Sequence, residues 1–128
     1  MKVFLSYASE DRKVAGEIAE VLREEGHDVY PAAHWPQSIR AALDRADAFV
    51  VLLSPAAVGS PYVSEEINHA LGSERFENRM IPVVLNRSTQ IPWILQTMQP
   101  IQAKPPRTAA EMINKRLQRQ GATDAAAR

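Results

Sequence analysis

The chain has 128 residues, 45% hydrophobic and 23% charged, which suits one globular domain and argues against a disordered chain. Fifteen basic residues balance fifteen acidic ones and cysteine is absent, so no net field draws in nucleic acid, and disulfide, thiolate and cysteine–zinc chemistry are excluded. No apolar stretch approaches bilayer length and the start lacks a basic-then-apolar signal, so the expectation is a cytoplasmic protein with no membrane and no direct nucleic-acid partner. In chain order, Val3-Phe4-Leu5 reads as a short buried strand that breaks off in the polar turn Ser6-Tyr7-Ala8-Ser9. Ser9 is placed to cap the next helix, and Glu10 and Asp11 fall in its first turn, where the helix dipole favours negative charge. Val14, Ile18, Val21 and Leu22 give that helix its apolar stripe, and Gly26 sits at its C-terminal cap. Residues 28–30 form a second strand, followed by a loop over 31–37 and a short helix over 38–45 carrying Ile39, Ala42 and Leu43 on one side.

Residues 48–53 are continuously apolar, the pattern of a central parallel strand buried on both faces. Ser60-Pro61 then supplies a cap and a first-turn proline for a helix running to about residue 75. Residues 80–85 read as a fourth strand, with Pro82 acceptable only where its missing N–H is not needed. Residues 86–98 carry no clear period, and Ile101 marks a short fifth strand. A last amphipathic helix covers 108–119 through Ala109, Met112, Ile113 and Leu117. Residues 121–128 are small and polar and read as a flexible tail or the start of a linker, leaving a domain over 1–120. Strands alternating with helices predict an α/β fold with a parallel sheet covered on both faces.

The helix opening at Ser60 holds the best chemical candidate. At about 100° per residue, Val63, Ile67, Ala70 and Leu71 define its core-facing stripe. Glu65 lies almost opposite and is solvated; Glu66 lies at the stripe's border, one turn from Tyr62. Two readings are open for Glu66: a partly desolvated functional carboxylate with a raised pKa, or a surface residue stabilised by the helix dipole. Trp35 is either a stacking surface for a ligand ring or an apolar plug for its loop. His34 and His69 read as exposed, although His69 lies one turn from Glu66 and within reach of it; Trp93 reads as packing, and the basic residues of 104–119 as a solvated face. No His, Cys or carboxylate set has metal-ligand spacing. Glycine-rich dinucleotide and phosphate loops, receiver-domain carboxylates at the ends of strands one and three, and a nucleophile elbow are all missing.

Phe4-Leu5-Ser6-Tyr7-Ala8-Ser9-Glu10-Asp11 resembles the first signature of TIR domains. Leu52-Leu53-Ser54-Pro55 resembles the second landmark, Ser60 to Ile67 the helix motif with an aromatic and then a Glu four residues on, and Ile81-Pro82-Val83-Val84 the fourth strand. The likeness runs in order over about residues 2–118, and it departs in two places. The loop 31–37 is short and lacks the family's usual acidic residue and glycine, and Tyr62 stands where many relatives carry Trp. The resemblance implies a single flavodoxin-like domain, five parallel strands in the order 2-1-3-4-5, with a ligand crevice at the switch point between strands one and three. It further implies an NAD+-cleaving enzyme with catalytic Glu66, NAD+ as substrate, and no cofactor or metal. Ser6, Tyr7, Ala8, Ser9, Trp35, Ser54 and Tyr62 would line the substrate site. The setting it implies is the effector module of a prokaryotic antiphage or cell-suicide protein, activated by self-association with other TIR domains and joined to a sensor domain. The alternatives are a non-enzymatic scaffold working through TIR–TIR contacts, and a nucleoside deoxyribosyl transferase.

Overall fold

Parity within the strands organises the molecule. The computed structural model describes residues 1–32, 43–73, 76, 79–86, 90–102 and 105–126. Five strands, β1 (Lys2–Ser6), β2 (Asp28–Ala32), β3 (Ala48–Leu53), β4 (Met80–Val84) and β5 (Ile101–Gln102), form one parallel sheet in the order β2-β1-β3-β4-β5. Side chains alternate across a strand. Val3, Leu5, Ala48, Val50, Leu52, Ile81 and Val83 therefore share one core with α1 (Arg12–Glu24) and α5 (Pro106–Ala126). Phe4, Phe49, Val51 and Leu53 share the other, with α2 (Pro55–Val58), α3 (Pro61–Leu71) and α4 (Trp93–Gln96). Phe4 and Phe49 are cross-strand partners and their rings stack at 5.7 Å, with Phe76 tilted against Phe49. All six residues of β3 are buried, as a strand flanked on both edges and covered on both faces must be.

Pro82 sits inside this sheet, and backbone parity explains how. The Leu85 N–H donates to the Leu53 carbonyl, so the odd-numbered amides of β4 point at β3 and position 82 points the other way. On that side β5 pairs only with Val83 and Val84, so the proline forgoes no ladder bond there.

Several boundaries move from the sequence reading for local reasons. Strand β2 runs to Ala32, two residues into the expected loop, and as an edge strand it tolerates Pro31. Residues 43–45 are helical; 38–42 of the expected helix lie outside the described residues. Helix α3 stops at Leu71 because Gly72 takes the C-cap. Helix α5 begins at Pro106 and continues through Ala126, past the expected end at 119 and into the residues read as a flexible tail. Gly26 closes α1 with φ 91°, a left-handed conformation that glycine adopts without strain.

Ser9 is not a helix cap. It opens a 3-10 turn (Ser9–Asp11) ahead of α1, neither turn nor helix has a side-chain cap, and the Ser9 hydroxyl donates to the neighbouring Glu10 carboxylate at 2.9 Å. Ser60 does cap: its Oγ accepts from the Val63 N–H at 3.3 Å. Ser60→Ala is therefore expected to lower stability by about 1 kcal/mol in urea unfolding. Ser9→Ala should stay within about 0.5 kcal/mol, the range of an exposed surface change.

Candidate active site

Glu66 lies deeper than its sequence pattern suggests. Its relative exposure is 0%, and with Val63 and Ala70 it makes up the buried face of α3. Leu71, counted in the expected stripe, is exposed instead, so the helix is turned toward Glu66 and away from Leu71. Glu65 is exposed, as its place on the wheel requires. Tyr62, one turn away, is 48% exposed.

The sheet residue that meets Glu66 is Ser6. It shares the parity of Phe4, pairs opposite Val51, and so faces α3 from the carboxyl end of β1. Its buried hydroxyl donates to Glu66 Oε1 at 2.7 Å. The other oxygen, Oε2, is buried and has no hydrogen-bond partner among the described residues. Burial raises the Glu66 carboxyl from 4.5 to about 7, and the Ser6 hydrogen bond, which favours the ionised form, opposes that rise. A carboxylate in this state is poised between charged and neutral near physiological pH, and it offers one unsatisfied acceptor.

A second serine–carboxylate pair crosses the first. Ser54, one residue beyond β3, donates its hydroxyl to Asp11 Oδ2 while accepting from the Ala57 N–H at 3.1 Å as the cap of α2. The serine of β1 thus holds a carboxylate from the helices that follow β3, and the serine after β3 holds a carboxylate that leads into the helix following β1. Ser54 is three residues beyond the position paired with Ser6, about 10 Å further along the strand direction, so the Asp11 pair lies nearer the open carboxyl edge. Sequence reading gives Asp11 a dipole role alone; no local signal couples residues 43 positions apart.

The remaining expected positions are spread out. Tyr7 and Ala8 are buried in the two opposite cores, whereas Ser9 is exposed. Trp35 and His34 lie outside the described residues. His69 Nε2 is 3.0 Å from Asp44 Oδ1 and so engages the segment before β3 instead of the neighbouring Glu66. Trp93 does not pack: it is 74% exposed, because the short α4 buries only Leu95, on the opposite side. Of the basic set on α5, Arg107 and Lys115 are exposed; Arg107 lies 3.9 Å from Glu24. Among the described residues, no group of three or more His, Cys, Asp or Glu side chains is arranged to hold a metal ion. No helix among them is long and apolar enough to cross a membrane.

A parallel sheet whose order reverses between β1 and β3, with polar side chains gathered at that switch point, defines a doubly wound α/β protein of the flavodoxin type. The TIR domain profile matches residues 3–117, and the chain belongs to that family. Over 65 residues it is 43% identical to the NAD(+) hydrolase ApTIR of Actinoplanes sp. (strain ATCC 31044 / CBS 674.73 / SE50/110), a stretch covering 51% of this chain and 9% of that much longer protein. The fold is similar to the TIR domain of the Toll-related receptor TRR-2 from Hydra magnipapillata, with TM-score 0.64, 21% identity, and 77% and 81% of the two chains covered. It is also similar to a flavodoxin-like domain from Synechococcus sp., with TM-score 0.59, 14% identity, and 89% and 92% covered.

Proposed function

We propose that this TIR domain cleaves NAD+ at the nicotinamide–ribose bond, with Glu66 as the catalytic residue. The observation that carries the reading is the buried carboxylate whose Oε1 is held by Ser6 while Oε2 has no partner among the described residues. Nicotinamide in NAD+ is already a cationic leaving group, so no general acid is needed. The C1′–N bond breaks, its electron pair leaves with neutral nicotinamide, and the ribose acquires oxocarbenium character. An ionised Glu66 would accept a hydrogen bond from a ribose hydroxyl and offset that charge in a low-dielectric site. Water then completes C1′ and releases one proton, giving the linear product; an adenine nitrogen of the same molecule completes it in the cyclic one. NAD+ is the substrate, and this chemistry asks for no resident cofactor or metal. The partial likeness to a bacterial NAD(+) hydrolase supports the same reading.

The biological role that goes with it is the effector module of an immune protein, joined to a sensor domain and switched on by TIR–TIR self-association in the cytoplasm. One observation favours the scaffold alternative: Glu66 has no exposed surface in this conformation. Both readings meet in one assay, nicotinamide release from NAD+ across a wide range of protein concentration. Release is expected to rise faster than linearly with protein. A constant specific activity would show that a single chain suffices, and no release even from chains forced together would leave the scaffold.

A further inference from the structure

Ser6 belongs to β1, which is hydrogen-bonded on both edges, to β2 and to β3. Its backbone is thereby fixed, and its side chain is fully buried. The terminal torsion of a glutamate is broad, so without a partner the plane of the Glu66 carboxylate is poorly fixed relative to a ligand. The 2.7 Å bond from Ser6 Oγ fixes that plane by engaging one oxygen, Oε1. What is left is Oε2, buried and without a partner among the described residues. We propose that Ser6 is a positioning residue, which fixes Glu66 through Oε1 and so reserves Oε2 for a hydrogen-bond donor on the ligand. The inference rests on the proposed reaction only for the identity of that donor, a ribose hydroxyl.

Two consequences set this apart from a substrate-lining role for Ser6. Its hydroxyl proton is committed to Glu66, so it has none to give the substrate. An ionised Oε2 accepts and repels anions, so the position against it takes a hydroxyl or cationic group and not a phosphate oxygen. The other titratable groups of the surrounding elements bond elsewhere: Asp11 with Ser54, His69 with Asp44, while Glu65 faces solvent. Among the described residues, Ser6 is the hydrogen-bond partner shown for this carboxylate.

The test is a carbon-13 NMR titration of the Glu66 carboxyl in the wild-type chain, Ser6→Ala and Ser6→Thr, beside the pH profile of nicotinamide release. Ser6→Ala withdraws a bond made to the ionised form, so the Glu66 titration should move up by on the order of one pH unit. Ser6→Thr keeps the hydroxyl and should restore it. The rising limb of kcat against pH should shift with the titration, and kcat should fall with KM little changed. A Glu66 titration unmoved in a folded Ser6→Ala chain overturns the proposal, as does a raised KM with unchanged kcat, which would place Ser6 on the substrate. The titration needs no turnover: absence of nicotinamide release from the wild-type protein would overturn the reaction, while the Ser6–Glu66 coupling would still be measured.

Discussion

Glu66→Gln is expected to reduce nicotinamide release by on the order of 10³-fold while leaving the domain folded, since the amide keeps the volume and the Ser6 hydrogen bond but brings no charge to a positive ribose. Glu65→Gln should retain most of the activity, because Glu65 lies about 100° further round α3 and faces solvent. The pair is a sharp comparison: two adjacent carboxylates on one helix, one buried beneath the sheet's edge and one in water. In the wild-type enzyme, activity should increase with pH through about 7, as the carboxyl loses its proton to become the form that stabilises the cation. Equal losses from the two substitutions, or full activity in Glu66→Gln, would remove Glu66 from the mechanism.

The same substitution should make the protein more stable in alkaline solution. Burial raises the folded-state pKa of Glu66 from 4.5 to about 7. Below 4.5 the carboxyl is protonated in both folded and unfolded chains. Between 4.5 and 7 the unfolded chain loses its proton first, so folding becomes progressively less favourable as pH rises, and the loss levels off once the folded form is ionised too. A glutamine does not titrate. The stability gap between Glu66→Gln and wild type, read from urea unfolding, should therefore widen by roughly 3 kcal/mol in favour of the variant between pH 4.5 and 8. Parallel pH curves for the two proteins would show that Glu66 is not held in a desolvated site. A gain in stability joined to a loss of activity is the mark of a residue kept for chemistry at the expense of the fold.

The strands were legible because burial on two faces demands continuous apolar runs, and residues 48–53 satisfy that demand without a polar interruption. Their order came from the likeness of the motifs to a known family, since no feature of a single strand states its neighbours. Glu66 shows where periodicity fails. A stripe averaged over apolar residues excludes a buried carboxylate by construction, and so it steered the face of α3 toward the exposed Leu71. Strand parity offered a better signal, for Ser6 shares a face with Phe4 and had to meet the helix packed there. The Ser54–Asp11 bond had no such signal. It joins a helix cap to a turn across 43 residues, and each end has a sufficient local explanation of its own. Trp93 shows the opposite error, as a large aromatic invites burial, but this four-residue helix turns Leu95 and Ile94 to the core and leaves Trp93 in solvent.

The crossing of the two serine–carboxylate pairs makes the first and third strand–helix units chemically indivisible. Each contributes a hydroxyl to the other's acid, and neither contains both halves of a pair. Transplanting the opening turn alone into another flavodoxin-type sheet would deliver Ser6 with no acid to orient. Transplanting the helix motif alone would deliver Glu66 as a buried carboxyl with neither oxygen held. Exchange between such domains can carry this arrangement across only when both units travel together, so a chimera joined between β1 and β3 tests inheritance of the site more severely than any single substitution.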